Sequence, residues 1–62
     1  MTENLAIWLY EGKNKGATHL MVFLDTSSDT HFPVYVMPNE NLNQKRRGLE
    51  RDSWTLAYEY QI

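Results

Sequence analysis

Residues 18–26, Thr-His-Leu-Met-Val-Phe-Leu-Asp-Thr, are apolar on both sides of an extended chain. Side chains alternate across a strand, so Leu20, Val22 and Leu24 point one way while His19, Met21 and Phe23 point the other. Such a strand belongs at the centre of a sheet, with cover on both sides or with one side against another chain. Two more strands are predicted around it. Trp54, Leu56, Tyr58, Tyr60 and Ile62 alternate with Thr55, Ala57, Glu59 and Gln61, a period of two over nine residues. That pattern predicts a strand with one apolar and one largely polar face. Val34 to Val36 predicts a shorter strand, and Pro33 before it suits a first position or a sheet edge, where no ladder donor is needed.

The segment Asn39 to Arg51 reads as a helix. Pro38 or Asn39 fits its start, Glu40 favours the positive end of the dipole, and basic residues crowd its last turns. Its apolar stripe is thin: Leu42 and Leu49, with the stems of Lys45 and Arg46 between them. Gly48 weakens it by roughly 1 kcal/mol relative to alanine. The first fifteen residues fit two patterns. "LAIWLY" followed by "EGKNKG" could be a strand and hairpin loop leading back into residues 18–26. Equally, a helix could run from Thr2 or Glu3 to about Lys15 and close on Gly16. Leu5, Trp8 and Leu9 form its stripe, Tyr10 falls outside it, and Gly12 argues against it.

Sixty-two residues make one domain, residues 1–62. A chain this short buries only about 60% of the surface its unfolded form exposes. It is 42% apolar and 13% aromatic, a composition that packs a core, and it has no cysteine for a disulfide or thiolate zinc site. Oligomerisation would supplement so small a core. The longest apolar runs, Leu5–Tyr10 and Leu20–Leu24, are far too short to span a bilayer. Met1-Thr2-Glu3-Asn4 lacks the basic start of a signal peptide, and no small-residue cleavage site follows. The expectation is a cytoplasmic protein. The net charge of −2 suggests no general attraction to nucleic acid.

The segment "DTSSDTH" gathers the residues that most resemble a site. Asp25, Asp29 and His31 could converge on a divalent ion, since two carboxylates and an imidazole suit several metals. His19 cannot join them, because six residues of extended strand separate it from Asp25 by roughly 20 Å. Turn chemistry explains the same loop without a ligand: Asp25 and the hydroxyls of Thr26, Ser27 and Ser28 make Asx- and ST-type turns. A catalytic version would use Ser27 or Ser28 as nucleophile, His31 as base and Asp29 to orient it. No glycine flanks those serines, and none lies between residues 16 and 48 to shape an oxyanion hole. No enzymatic activity and no cofactor are therefore expected. Lys45, Arg46, Arg47 and Arg51 form a basic patch that could contact phosphate. Glu50 and Asp52 stand close by, and neighbouring helical residues point in different directions, so a solvated helix face is the plainer reading. "GKNKG" lacks the spacing of a P-loop. Aromatics beside the loop suit a protein interface, with Asp29, His31, Phe32 and Tyr35 as the candidate partner-binding residues.

The stretch "GATHLMVFLDTSSDTHFPVYV", within Lys13 to Met37, resembles a group of short, mostly uncharacterised bacterial and bacteriophage proteins. Their shared pattern is a helix ending in glycine, Ala-Thr-His, a hydrophobic strand, Asp-Thr, an acidic-aromatic loop and Pro-Val-Tyr-Val. "RDSWTLAYEYQI" is similar to their closing strand. Two departures stand out: Leu24 occupies a position that is often cysteine, and "SSDTH" is less acidic and aromatic than their loop. The resemblance implies that the first segment is the helix. It completes an α+β domain of order α-β-β-α-β, with a three-stranded, mostly antiparallel sheet and both helices expected on one face. It also implies a non-catalytic, phage-type accessory protein that binds and modulates a host or defence protein, in the host cytoplasm if phage-encoded. The other functions considered are a small metal- or phosphate-binding module and nucleic-acid binding through the basic helix.

Overall fold

The computed structural model describes residues 2–51 and 53–62. The chain runs α1 (Thr2–Lys15), β1 (His19–Asp25), β2 (Thr30–Val36), α2 (Leu42–Leu49) and β3 (Trp54–Gln61). This is the expected α-β-β-α-β order of a small α+β domain. β1 is central in a sheet of order β2-β1-β3, and both neighbours are antiparallel to it. Leu20, Met21, Val22 and Phe23 on β1 are fully buried. Burying each such side chain contributes about 1.5–3 kcal/mol, so this one strand supplies much of the core.

The first segment is the helix rather than a hairpin strand, and its ending shows why. Gly16 adopts a φ of 82°, in the left-handed region where a side chain costs roughly 1–2 kcal/mol. The Ala17 N–H donates to the Gly12 carbonyl at 2.9 Å and the Gly16 N–H to the Lys13 carbonyl at 3.1 Å. These paired bonds are a Schellman closure. Gly12, inside the helix, has a packing reason. A Cβ there would lie 2.7 Å from Ile62 Cδ1 and 3.1 Å from the Tyr35 ring, so its absence lets α1 lie close against the sheet.

The two helices cover opposite faces, which corrects the expectation that both lie on one. Cross-strand partners share a face. Met21, Phe23, Val34 and Val36 therefore point to one side, where Leu42 and Leu49 of α2 pack on them. Leu20, Val22 and Tyr35 point to the other, where Gly12 meets Tyr35 and Ile62. The molecule measures 30 × 28 × 13 Å, three strands wide in its narrow direction and helix–sheet–helix through its depth. The cause lies in β1: either face left uncovered would expose two large apolar side chains to water.

β3 departs from its predicted single apolar face. Its register with β1 shifts between Val22, which opposes Tyr58, and Phe23, which opposes Leu56. Ala57 is the extra residue of a β-bulge, and the facing of side chains reverses across it. Trp54 and Leu56 join the α2 face, while Tyr58, Tyr60 and Ile62 fall on the α1 face. Unbroken alternation would crowd all five onto one face and leave Phe23 poorly covered on the other.

Two further boundaries differ from expectation. β2 begins at Thr30 rather than Val34, so Pro33 stands within it, tolerated because β2 is an edge strand. α2 is shorter than Asn39–Arg51. Asn41 caps it, its Oδ1 accepting from the Gln44 N–H at 3.0 Å. The Glu40 carboxylate turns back instead to accept from the Met37 N–H at 2.9 Å. At the other end Arg51 and Trp54 exchange backbone bonds of 3.2 Å each, which draws the chain out of the helix.

Candidate functional site

The loop between β1 and β2 is held together by its own side chains. Asp25 Oδ1 accepts from the Ser27 N–H at 3.0 Å and the Ser27 hydroxyl at 2.6 Å, an Asx-type turn. Its other oxygen, Oδ2, accepts from Trp54 Nε1 at 3.3 Å. The Ser27 hydroxyl, foremost among these donors, holds the Asp25 carboxyl below the usual aspartate range. Ser28 and Thr30 hydroxyls pair at 2.6 Å. Thr26 is tied to the Ser53 carbonyl through its N–H at 2.7 Å and its hydroxyl at 3.1 Å. Asp29 sits exposed at the tip with a φ of 55°, a conformation aspartate tolerates better than most residues.

The metal trio is not brought together. Asp25 opposes Thr30, and His31 opposes Leu24, so Asp25 and His31 emerge on opposite faces of the sheet. Among the described residues no three His, Asp or Glu side chains converge on one point. His19 stands at the far end of β1, its Nδ1 2.9 Å from the Thr18 hydroxyl. Of the two candidate nucleophiles, Ser27 bonds Asp25 and Ser28 bonds Thr30, neither of them His31.

The four partner-binding candidates also divide between faces. Phe32 belongs to the α2-side core: its ring stacks on Phe23 with centroids 5.9 Å apart and meets Trp54 edge-on at 5.2 Å. Tyr35 lies on the α1 side beneath Gly12, with the Lys15 ammonium 5.4 Å from its ring centre. Burial first, and the negative charge of Glu11 second, push its phenol above the ordinary range. Only Asp29 of the four is freely exposed, with His31 half-buried beside it.

The basic patch is largely engaged within the fold. Lys45 Nζ donates to both Glu40 carboxylate oxygens and to the Tyr35 carbonyl, each at 2.8 Å. Lys45 in turn is the main reason the Glu40 carboxyl is held below its usual range. Arg46 forms an ion pair with Glu59, Nε lying 3.0 Å from Oε1, and bonds Asn43 at 2.9 Å. The Arg51 guanidinium lies 5.1 Å from the Trp54 ring centre. Arg47 alone of the four is exposed with no such contact among the described residues. A shallow groove lined by Asn39, Glu40, Asn41, Gln44 and Lys45 adjoins this cluster, with the Asn41, Glu40 and Lys45 side chains already engaged in the helix cap and the Lys45–Glu40 pair.

The exposed apolar surface lies elsewhere. On α1, Tyr10 is 69% and Ile7 53% exposed; Tyr58 on β3 and Ile62 just after it are 45% and 38% exposed. Ile7 and Tyr10 are three residues apart, hence neighbours on the helix surface, and face away from the side carrying Gly12. The sequence held this signal. "LAIWLY" is six apolar residues in succession, more than one buried stripe can take, so a helix there must expose some of them.

No family model, no curated protein and no solved structure is significantly similar to the chain. Among the described residues no helix is long and apolar enough to cross a membrane.

Proposed function

We propose that this chain is a small, non-catalytic protein-binding module whose contact surface is the outer side of α1, with Tyr10 and Ile7 as anchors. What supports the reading is their exposure of 69% and 53%, side by side on a helix whose other side is committed to the sheet. A large aromatic beside an aliphatic residue is the kind of pair that carries binding energy when a partner's pocket desolvates it. The partner class is the one the phage-type resemblance implies, a host or defence protein of the bacterial cytoplasm. Asp29 and His31 are not needed for this contact.

The test is capture from bacterial lysate by the tagged full chain, repeated with Ile7→Ser/Tyr10→Ser. One partner retained in stoichiometric amount, and lost with the double substitution while the circular dichroism spectrum is unchanged, is the expected result. A partner that binds the variant equally well, or no partner from any of several hosts, overturns the reading.

A further inference from the structure

The two edges of the sheet are not alike. On β2, Pro33 has no N–H to offer, and the Tyr35 carbonyl is taken by Lys45 Nζ at 2.8 Å. A proline and a lysine are two devices that keep an edge from pairing with another chain. β3 has neither. Its one acid, Glu59, is drawn into an ion pair with Arg46 on the α2 face. The Ile62 N–H donates inward to the Thr18 carbonyl at 2.8 Å. By the alternation of an antiparallel ladder, Tyr60 and Tyr58 also bond inward, while Glu59 and Gln61 direct their N–H and C=O groups outward. Among the described residues no partner bonds those outward groups.

We infer that β3 is a self-pairing edge, and that its occupant is β3 of a second copy of this chain, antiparallel and two-fold related about Tyr60. That register opposes Glu59 to Gln61′ and Gln61 to Glu59′, the primes marking the second copy. All four residues then present outward groups to one another, for four backbone hydrogen bonds. The same register sets Tyr58 across from Ile62′ and Ile62 across from Tyr58′. These are the two large apolar residues left exposed on β3 and just after it, at 45% and 38%, and each covers the other. Tyr60 meets Tyr60′ at the axis in a non-hydrogen-bonded pair, where side chains approach most closely.

The neighbouring registers are worse. An axis at Glu59 opposes two carboxylates, which destabilises a cross-strand pair. An axis at Gln61 retains only the Tyr60–Ile62′ pairs and leaves Tyr58 uncovered. The self-complementary spacing Tyr58–Tyr60–Ile62, with an amide rather than an acid facing Glu59, is what selects a second copy over a foreign strand. The result is a six-stranded sheet of order β2-β1-β3-β3′-β1′-β2′. Its outer edges are the two guarded β2 strands, so assembly closes at two copies. The overlap spans only residues 58–62, well below the area of a tight interface, so the dimer is weak and forms at high micromolar to millimolar concentration.

Sedimentation equilibrium of the full chain from micromolar to millimolar concentration tests this directly, together with amide exchange at Glu59 and Gln61. The expected result is a monomer–dimer equilibrium, with both amides protected only as dimer accumulates. Gln61→Glu opposes like charges twice across the register and should weaken association roughly tenfold. Glu59→Gln/Gln61→Glu has the composition of the original chain and restores an acid–amide pairing, so it should recover most of that loss. A chain that stays monomeric to millimolar concentration overturns the inference. So does a dimer indifferent to Gln61→Glu, or protection at these two amides that appears only when an unrelated extended peptide is added.

Discussion

Asp25 reads in the sequence as a turn former or a metal ligand, and in the fold it is a turn former and a strut. One of its oxygens holds Ser27 and the other holds Trp54, 29 residues away, so the loop and the start of β3 meet on a single carboxylate. The pH consequence follows from sign. Asp25 and Glu40 are both held below their ordinary range, by Ser27 and by Lys45 respectively. At acid pH the unfolded chain therefore binds more protons at these positions than the folded one. The stability they contribute is fully present above about pH 4, the ordinary range of the free groups, and is lost as pH falls through the lowered values. Thermal unfolding followed from neutral to acid pH should show this loss. Asp25→Asn and Glu40→Gln, each neutral throughout, should flatten that acid limb in proportion to the slope they remove. A limb unchanged in both variants would place the acid sensitivity elsewhere.

Each element was legible to the extent that its signal was local. β1 and β3 could be placed from apolar spacing, because burial depends on neighbours a few residues away, whereas the spacing in the first fifteen residues fitted a strand and a helix equally and only the family resemblance favoured α1. The bulge was not legible. Trp54, Leu56, Tyr58, Tyr60 and Ile62 alternate without interruption, and only the register against β1 reverses their facing. That register reflects a demand from the other side of the sheet, where Phe23 and Phe32 need Trp54. For the same reason Phe32 read as a surface residue beside a loop, since its stacking partner lies nine residues back on β1. The basic patch was misleading in part for the same reason: Glu59, the partner of Arg46, becomes adjacent only when α2 crosses the sheet, whereas Glu40 reaches Lys45 locally across the Asn41 cap. The bulge can be tested by deletion. Removing Ala57 makes Leu56 and Tyr58 consecutive and keeps every other side chain on its present face, so stability should change by no more than about 1 kcal/mol. Removing Thr55 instead turns Trp54 out of its aromatic cluster and should cost about 3 kcal/mol or more. Denaturant titration followed by far-ultraviolet dichroism separates the two outcomes.

The folded chain has two packed layers on either side of one strand, and each layer contains one of its two tryptophans. Trp8 lies half-buried on α1, and Trp54 lies against Phe32 beneath α2. The bulged strand contributes Trp54 and Leu56 to one layer and Tyr58, Tyr60 and Ile62 to the other. If either layer melts, β3 comes free and takes away the other layer's wall. The chain should therefore unfold as one cooperative unit with no half-molten form between. Variants that keep a single reporter, Trp8→Phe and Trp54→Phe, should each show one transition, coincident in its own protein with the loss of far-ultraviolet dichroism. Separate midpoints for the α1 reporter and the backbone signal would mean that the layers melt independently. Seen this way, β3 is a mechanical coupling: by sending side chains to both sides of the sheet it joins two small cores, neither large enough to persist alone, into a single all-or-none switch between order and disorder.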